Sequence, residues 1–162
     1  MTAAQQPPSQ RLAELGVTLP KVVAPVGSYV PATRSGDYVH TSGQLPMVDG
    51  TMAATGKVGG AVGAEQAATM ARACALNALA AIDALVGLDA VARVVKVVGF
   101  VASVPEFTAQ PAVVNGASDL LVDVFGAAGV HARSAVGVVT LPLDAPVEVE
   151  LVVELHPSPA RP

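Results

Sequence analysis

The hydrophobic pattern changes period along the chain, and those changes divide it into elements. Over residues 61–86, Ala67, Met70, Ala71, Cys74, Ala75, Ala78, Ile82 and Leu85 recur every three or four positions. Glu65, Thr69, Arg72 and Asp83 take another face. This is one apolar stripe of an α-helix. A second stripe, Val113, Ala117, Leu120, Leu121, Val124 and Phe125, follows Pro105-Glu106 and stops at Gly126. Asn115-Gly116 inside it is a hairpin dipeptide. The flanking helical spacing outweighs that signal, although Gly in place of Ala costs about 1 kcal/mol.

Strand signals fill the remainder. Residues 147–155 alternate, with Val147, Val149, Leu151, Val153 and Leu155 on one face and Glu148, Glu150, Val152 and Glu154 on the other. Residues 91–104 are β-branched with little alternation, which predicts a strand buried on both faces. Residues 38–42 follow a Ser35-Gly36-Asp37 turn, Asp49-Gly50 marks another turn, and 131–141 form a strand joined to the last one by the loop 142–146. Residues 1–8 read as a loose polar tail, 11–15 as one helical turn ending at Gly16, and the proline-bearing stretch 17–32 as extended loop. The order predicts a single α+β domain over 20–156. An N-terminal tail and short helical turn (1–19) precede it, and a C-terminal tail (157–162) follows.

Composition narrows the function classes. Of 162 residues 52% are hydrophobic, 14% charged and only 3% aromatic, with a net charge of −4. The apolar content excludes a disordered chain. Nine Lys and Arg scattered against thirteen Asp and Glu argue against a nucleic-acid surface, and aromatic stacking platforms are missing. So few charges cannot cover a domain of this size, which points to burial between subunits. Arg72 near the middle of the apolar segment, with Glu65, Asn77 and Asp83, favours a core helix over a membrane span. Cys74 is the sole cysteine, so neither an intrachain disulfide nor a cysteine metal site can form. Residues 1–12 lack a signal-peptide pattern, and the expected location is cytoplasmic.

Standard catalytic motifs fail. Gly56-Lys57-Val58 lacks the rest of a phosphate loop, and Ser42 in Thr-Ser-Gly lacks the Gly of a nucleophile elbow. His40, His131 and His156 show no ligand spacing, and no metal site is expected. Cys74 falls on a core face, as an inert thiol would. Arg133 opens a strand among Ala and Val with no acid close in sequence. It is either an ordinary surface arginine or a planar fork for a substrate carboxylate. Glu148, Glu150 and Glu154 share one strand face. They are either a solvated acid row or contain a proton shuttle.

Several segments together resemble the RidA/YjgF family, whose members also carry the label L-PSP endoribonuclease. They are Tyr29 in Val-Gly-Ser-Tyr, Val39-His40-Thr41-Ser42-Gly43-Gln44-Leu45-Pro46, and Asn115 after Pro111-Ala112-Val113-Val114. His131-Ala132-Arg133-Ser134-Ala135-Val136 follows, then Leu141-Pro142 and Val147-Glu148-Val149-Glu150. The likeness spans about residues 20–155. The segment 11–20 resembles a divergent branch, and Ala135 stands where well-known members carry Cys.

The resemblance implies a chorismate-mutase-like mixed sheet with two helices on one face, assembled as a homotrimer with sites between neighbours. It implies an enamine/imine deaminase, a hydrolase converting small 2-imino acids such as 2-aminoacrylate or 2-iminopropanoate to the 2-oxo acid and ammonia, without metal or organic cofactor. By match, Arg133 would bind the substrate carboxylate and Glu148 would position or activate water. Tyr29, Ser42, Gly43, Gln44 and Asn115 would line the pocket. The alternatives are a non-catalytic carboxylate-binding or regulatory module and, against the charge balance, an endoribonuclease. Neither nucleic acid nor membrane is expected as a partner.

Overall fold

The computed structural model describes residues 6–157 apart from 23 and 26. The outer parts of the two expected tails, 1–5 and 158–162, lie outside the described residues. Alternating and β-branched segments form strands β1 (Ala32–Ser35), β2 (Tyr38–Thr41), β3 (Met47–Val48), β4 (Thr51–Met52), β5 (Val91–Ala102), β6 (Ala132–Val138) and β7 (Val147–Leu155). The helices are α1 (Pro8–Glu14), α2 (Ala64–Val86) and α3 (Gln110–Phe125). Five strands join in the order β1-β2-β7-β5-β6, and β3-β4 is a separate hairpin. β7 runs antiparallel to both neighbours, whereas β6 is parallel to β5 because α3 carries the chain back between them. The sheet is therefore mixed, and α2 and α3 pack side by side on one face of it.

The two stripes behave as their spacing predicts. Ala67, Met70, Ala71, Cys74, Ala75, Ala78 and Ile82 of α2 are buried, as are Val113, Ala117, Leu120, Leu121, Val124 and Phe125 of α3. Leu85 departs from the stripe and is 46% exposed, in the last turn of α2. Both helices are long and apolar enough to pass a membrane-span criterion, but their stripes cover the sheet. Small residues let the helices approach closely: a Cβ on Gly116 would collide with the carbonyl of Ala68. Close contact explains a glycine that propensity alone disfavours.

Other expectations need correction. Residues 32–35 form β1, pairing Ser35 with Tyr38 around Gly36-Asp37, a strand that the sequence pattern does not signal. Asp49 and Gly50, at φ 50° and 78°, make the tight β3–β4 hairpin turn. Helix α1 begins at Pro8, not Arg11, and buries Leu12. Helix α3 begins at Gln110 rather than after Pro105, because Gln110 Nε2 donates to the carbonyl of Phe107 (2.7 Å) and closes a preceding turn. Strand β5 is not buried on both faces within one chain. Val91, Val94, Val97 and Val101 are buried, while Val98 and Phe100 on the open face are half-buried. Register shifts between Val91/Arg93 and Val94/Lys96 interrupt its alternation, which is why the period was obscured.

One irregularity lies between β2 and β7. His40 pairs with Val152 and Gln44 with Val149, so the first segment holds one residue more than the second. It is a β-bulge. The buried Thr41 hydroxyl compensates by accepting the N–H of Leu151 at 2.9 Å.

Candidate functional site

Glu148 sits near the start of β7, on the sheet face opposite the helices. It is half-buried, and burial raises its carboxyl above the ordinary glutamate value, with Glu150 adding to the effect. Gly43 lies directly over it, since a Cβ there would collide with the Glu148 carboxylate. Gln44 holds that segment against β7 through paired backbone bonds with Val149 (2.8 and 3.0 Å). Its Nε2 donates to the carbonyl of Ser42 (3.2 Å). The Ser42 hydroxyl donates to the carbonyl of Val30 at 2.6 Å, so Ser42 clasps the loop that carries Tyr29. Tyr29, Gly43 and Gln44 line one small cavity of about 120 Å³, with Pro31, Leu45 and Leu143. A larger cleft of about 690 Å³ lies elsewhere, between residues 18–21, the Asp49-Gly50 turn and α2, and contains none of the predicted site residues.

Leu143 carries no sequence signal beyond its proline-flanked loop. It and Asp144 adopt left-handed backbone, φ 57° and 55°, a costly conformation for non-glycine residues. Lys57 pairs with Asp144 (2.5 Å), and the N–H of Gly56 donates to its carbonyl (3.0 Å), fixing this turn at the cavity edge.

Arg133 is on β6 and faces α3. Its Nη1 donates to Asn115 Oδ1 (2.8 Å) and to Ser118 Oγ (3.1 Å), and its Nη2 reaches the carbonyl of Pro111 (3.4 Å). Asn115, Ser118 and Pro111 are presented on consecutive turns of α3. No acceptor among the described residues meets Nε. The edge formed by Nε and Nη2 thus offers two parallel N–H groups, the geometry that binds a carboxylate bidentately.

The two halves do not meet in one chain. β6 and β7 are not a pair, as their short connecting loop suggests; β5 runs between them. Arg133 is level with Val97 and Glu148 with Phe100, three positions apart on a strand without register shifts there. Side chains alternate faces along a strand. Arg133 therefore points to the helix side and Glu148 to the open side. The structure groups Tyr29, Ser42, Gly43 and Gln44 with Glu148, and Asn115 with Arg133. Ser118, which contacts both Arg133 and His131, belongs to the second group and brings His131 into it; only the one-turn spacing from Asn115 to Ser118 hinted at it. Cys74 is fully buried, its thiol donating to the carbonyl of Val147 (3.7 Å). Burial, and next the nearby Glu148, push that thiol well above its ordinary value, which leaves it unreactive.

Comparison with known proteins accords with this architecture. Residues 9–155 match the family model described as "YjgF/chorismate_mutase-like, putative endoribonuclease". Protein TCP17 of Trypanosoma cruzi is 48% identical over 147 residues, covering 90% of this chain and 92% of that protein. The crystal structure of an Agrobacterium tumefaciens protein of unknown function is 47% identical with a TM-score of 0.83, covering 92% of each chain. The Escherichia coli TdcF structure with bound serine is 25% identical with a TM-score of 0.63, covering 84% of this chain and 94% of that one. With one mixed sheet, two helices on one face and a family match over nearly the whole described chain, the protein belongs to the YjgF/RidA family.

Proposed function

We propose that this protein is an enamine/imine deaminase that hydrolyses small 2-imino acids to 2-oxo acids and ammonia, in sites shared by neighbouring subunits of a cytoplasmic homotrimer. The observation that carries the reading is Glu148: a half-buried carboxylate with a raised pKa, packed against Gly43, which itself lines a small cavity. Such a group is a better proton acceptor than a solvated glutamate. In a protonated imine the carbon is already electrophilic. Glu148 takes a proton as water forms the C–O bond and the C=N electron pair moves to nitrogen. It then returns that proton to the nitrogen, and the carbinolamine expels ammonia, which takes up the hydroxyl proton as ammonium and leaves the 2-oxo acid. Arg133, with Asn115 beside it, holds the substrate carboxylate, so orientation supplies much of the gain. Because the two groups occupy opposite sheet faces, the neighbouring subunit completes the site.

The test is hydrolysis of 2-iminopropanoate generated in situ by an amino-acid oxidase. Acceleration at micromolar protein, lost in Glu148→Gln and Arg133→Ala, supports the reading. No acceleration by folded protein refutes it. The serine bound in the TdcF structure favours a second reading, a carboxylate-binding module without turnover. There a 2-oxo acid raises the melting temperature, Arg133→Ala abolishes that shift, and no hydrolysis accompanies it. The endoribonuclease description fits this chain less well. Glu148, Glu150 and Glu154 line the open face of a chain of net charge −4, where a phosphate backbone is repelled.

A further inference from the structure

Arg133 is the head of a longer chain of hydrogen bonds. His131 Nδ1 lies 2.6 Å from the carbonyl of Gly129. A carbonyl can only accept, so Nδ1 carries the proton, and Nε2 of the neutral ring is an acceptor. Ser118 Oγ is 2.9 Å from that Nε2. The hydroxyl therefore donates to the ring, which leaves its lone pairs for Arg133 Nη1 at 3.1 Å. Every bond runs in one direction, from Arg133 to Ser118 to His131 to the Gly129 carbonyl. The end of the chain is fixed as well, because Gly129 is pressed against the last turns of α3, where a Cβ would collide with the carbonyl of Leu121. Aligned hydrogen bonds of this kind polarise and reinforce one another.

We propose that Ser118 and His131 are positioning residues that lock the Arg133 guanidinium with its Nε–Nη2 edge outward, and thereby set the affinity of the site for a carboxylate. Asn115 fixes one Nη1 hydrogen, and Ser118 fixes the other only while His131 holds the hydroxyl proton. The effect on carboxylate affinity rests on the deaminase or carboxylate-binding reading above; the locking of the side chain does not. A preorganised fork spends less of its binding energy on ordering itself.

The experiment uses the full chain and the variants Ser118→Ala, Ser118→Thr, His131→Phe and Arg133→Ala. Nitrogen-15 spectra report the Arg133 Nε–H and the His131 tautomer, calorimetry follows 2-oxopropanoate binding, and 2-iminopropanoate kinetics separate KM from kcat. The expected wild-type pattern is an ordered Nε–H signal and an Nδ1–H ring. Ser118→Ala and His131→Phe average the Nε–H signal, weaken 2-oxopropanoate about tenfold and raise KM with kcat within twofold. Ser118→Thr, which retains the hydroxyl, restores all three. A lock that survives in both Ser118→Ala and His131→Phe, with affinity within twofold of wild type, overturns the proposal. So does a fall in kcat at unchanged KM. If wild type binds no 2-oxopropanoate yet the Nε–H signal still depends on Ser118, the lock stands and the functional reading above falls.

Discussion

Folding makes the Glu148 carboxyl reluctant to ionise, and this has a consequence for stability. The native chain keeps that proton to higher pH than the unfolded chain does. As pH rises from the ordinary glutamate value through the raised one, the unfolded state releases its proton first and stability falls. Glu148→Gln removes the titration. Its melting temperature relative to wild type is expected to climb across that window and then level off, in thermal melts between pH 4 and 8. A difference that shrinks with rising pH would mean that the native state favours the anion. Gly43→Ala tests the space above the carboxylate. The atom it displaces is the end of a flexible side chain, so stability is expected to stay near wild type while imine hydrolysis drops at least tenfold. Glu148 was legible in the sequence through its alternation. Its contact with Gly43 was not, because nothing in the motif reveals the bulge that brings them to one face.

Among the elements, α2 and α3 were the most legible, since their three-and-four spacing persists over several turns. Strands β1, β3 and β4 were not, being two to four residues long and set among prolines and glycines. The relation of β6 to β7 was not legible for a different reason: a short loop is compatible with a hairpin, whereas the chain places β5 between them. Gly116→Ala weighs propensity against packing. Alanine gains about 1 kcal/mol of helix propensity, but its methyl meets the Ala68 backbone, which cannot rotate away. Overpacking of this kind costs about 1–3 kcal/mol. Net destabilisation in urea is expected, with the far-ultraviolet spectrum retained; a more stable variant would show that the helices separate freely.

For the whole molecule, the scarcity of charge noted in the sequence finds its place on the open sheet face. Val98, Phe100 and Val152 are half-buried there and Val136 is 44% exposed, alongside the acids of β7. That face is the one the proposed trimer covers. Light scattering is expected to give three times the mass of one chain. Val136→Asp is expected to lower the mass and abolish hydrolysis together while helix content persists. A fully active monomer would sink the shared-site reading. The proposed intersubunit character has its support in composition, because a core alone does not consume so many apolar residues. The opposed facing of Arg133 and Glu148 could not, because it depends on which strands pair.

The bulge at Thr41 makes the site depend on how one ladder is paired. Were the pairing that begins at Tyr38 to continue unbroken through the same residues, Gly43 would fall opposite Val149, on the side of the helices. Hydrophobic burial and sheet hydrogen bonding would survive in such an unbroken ladder, yet the roof over Glu148 would be turned away. Deleting one residue between His40 and Gly43 would instead remove the bulge and leave Gly43 opposite Glu150, still on the open side. Relatives that keep these residues but pair them without the bulge can thus share this fold without sharing its chemistry.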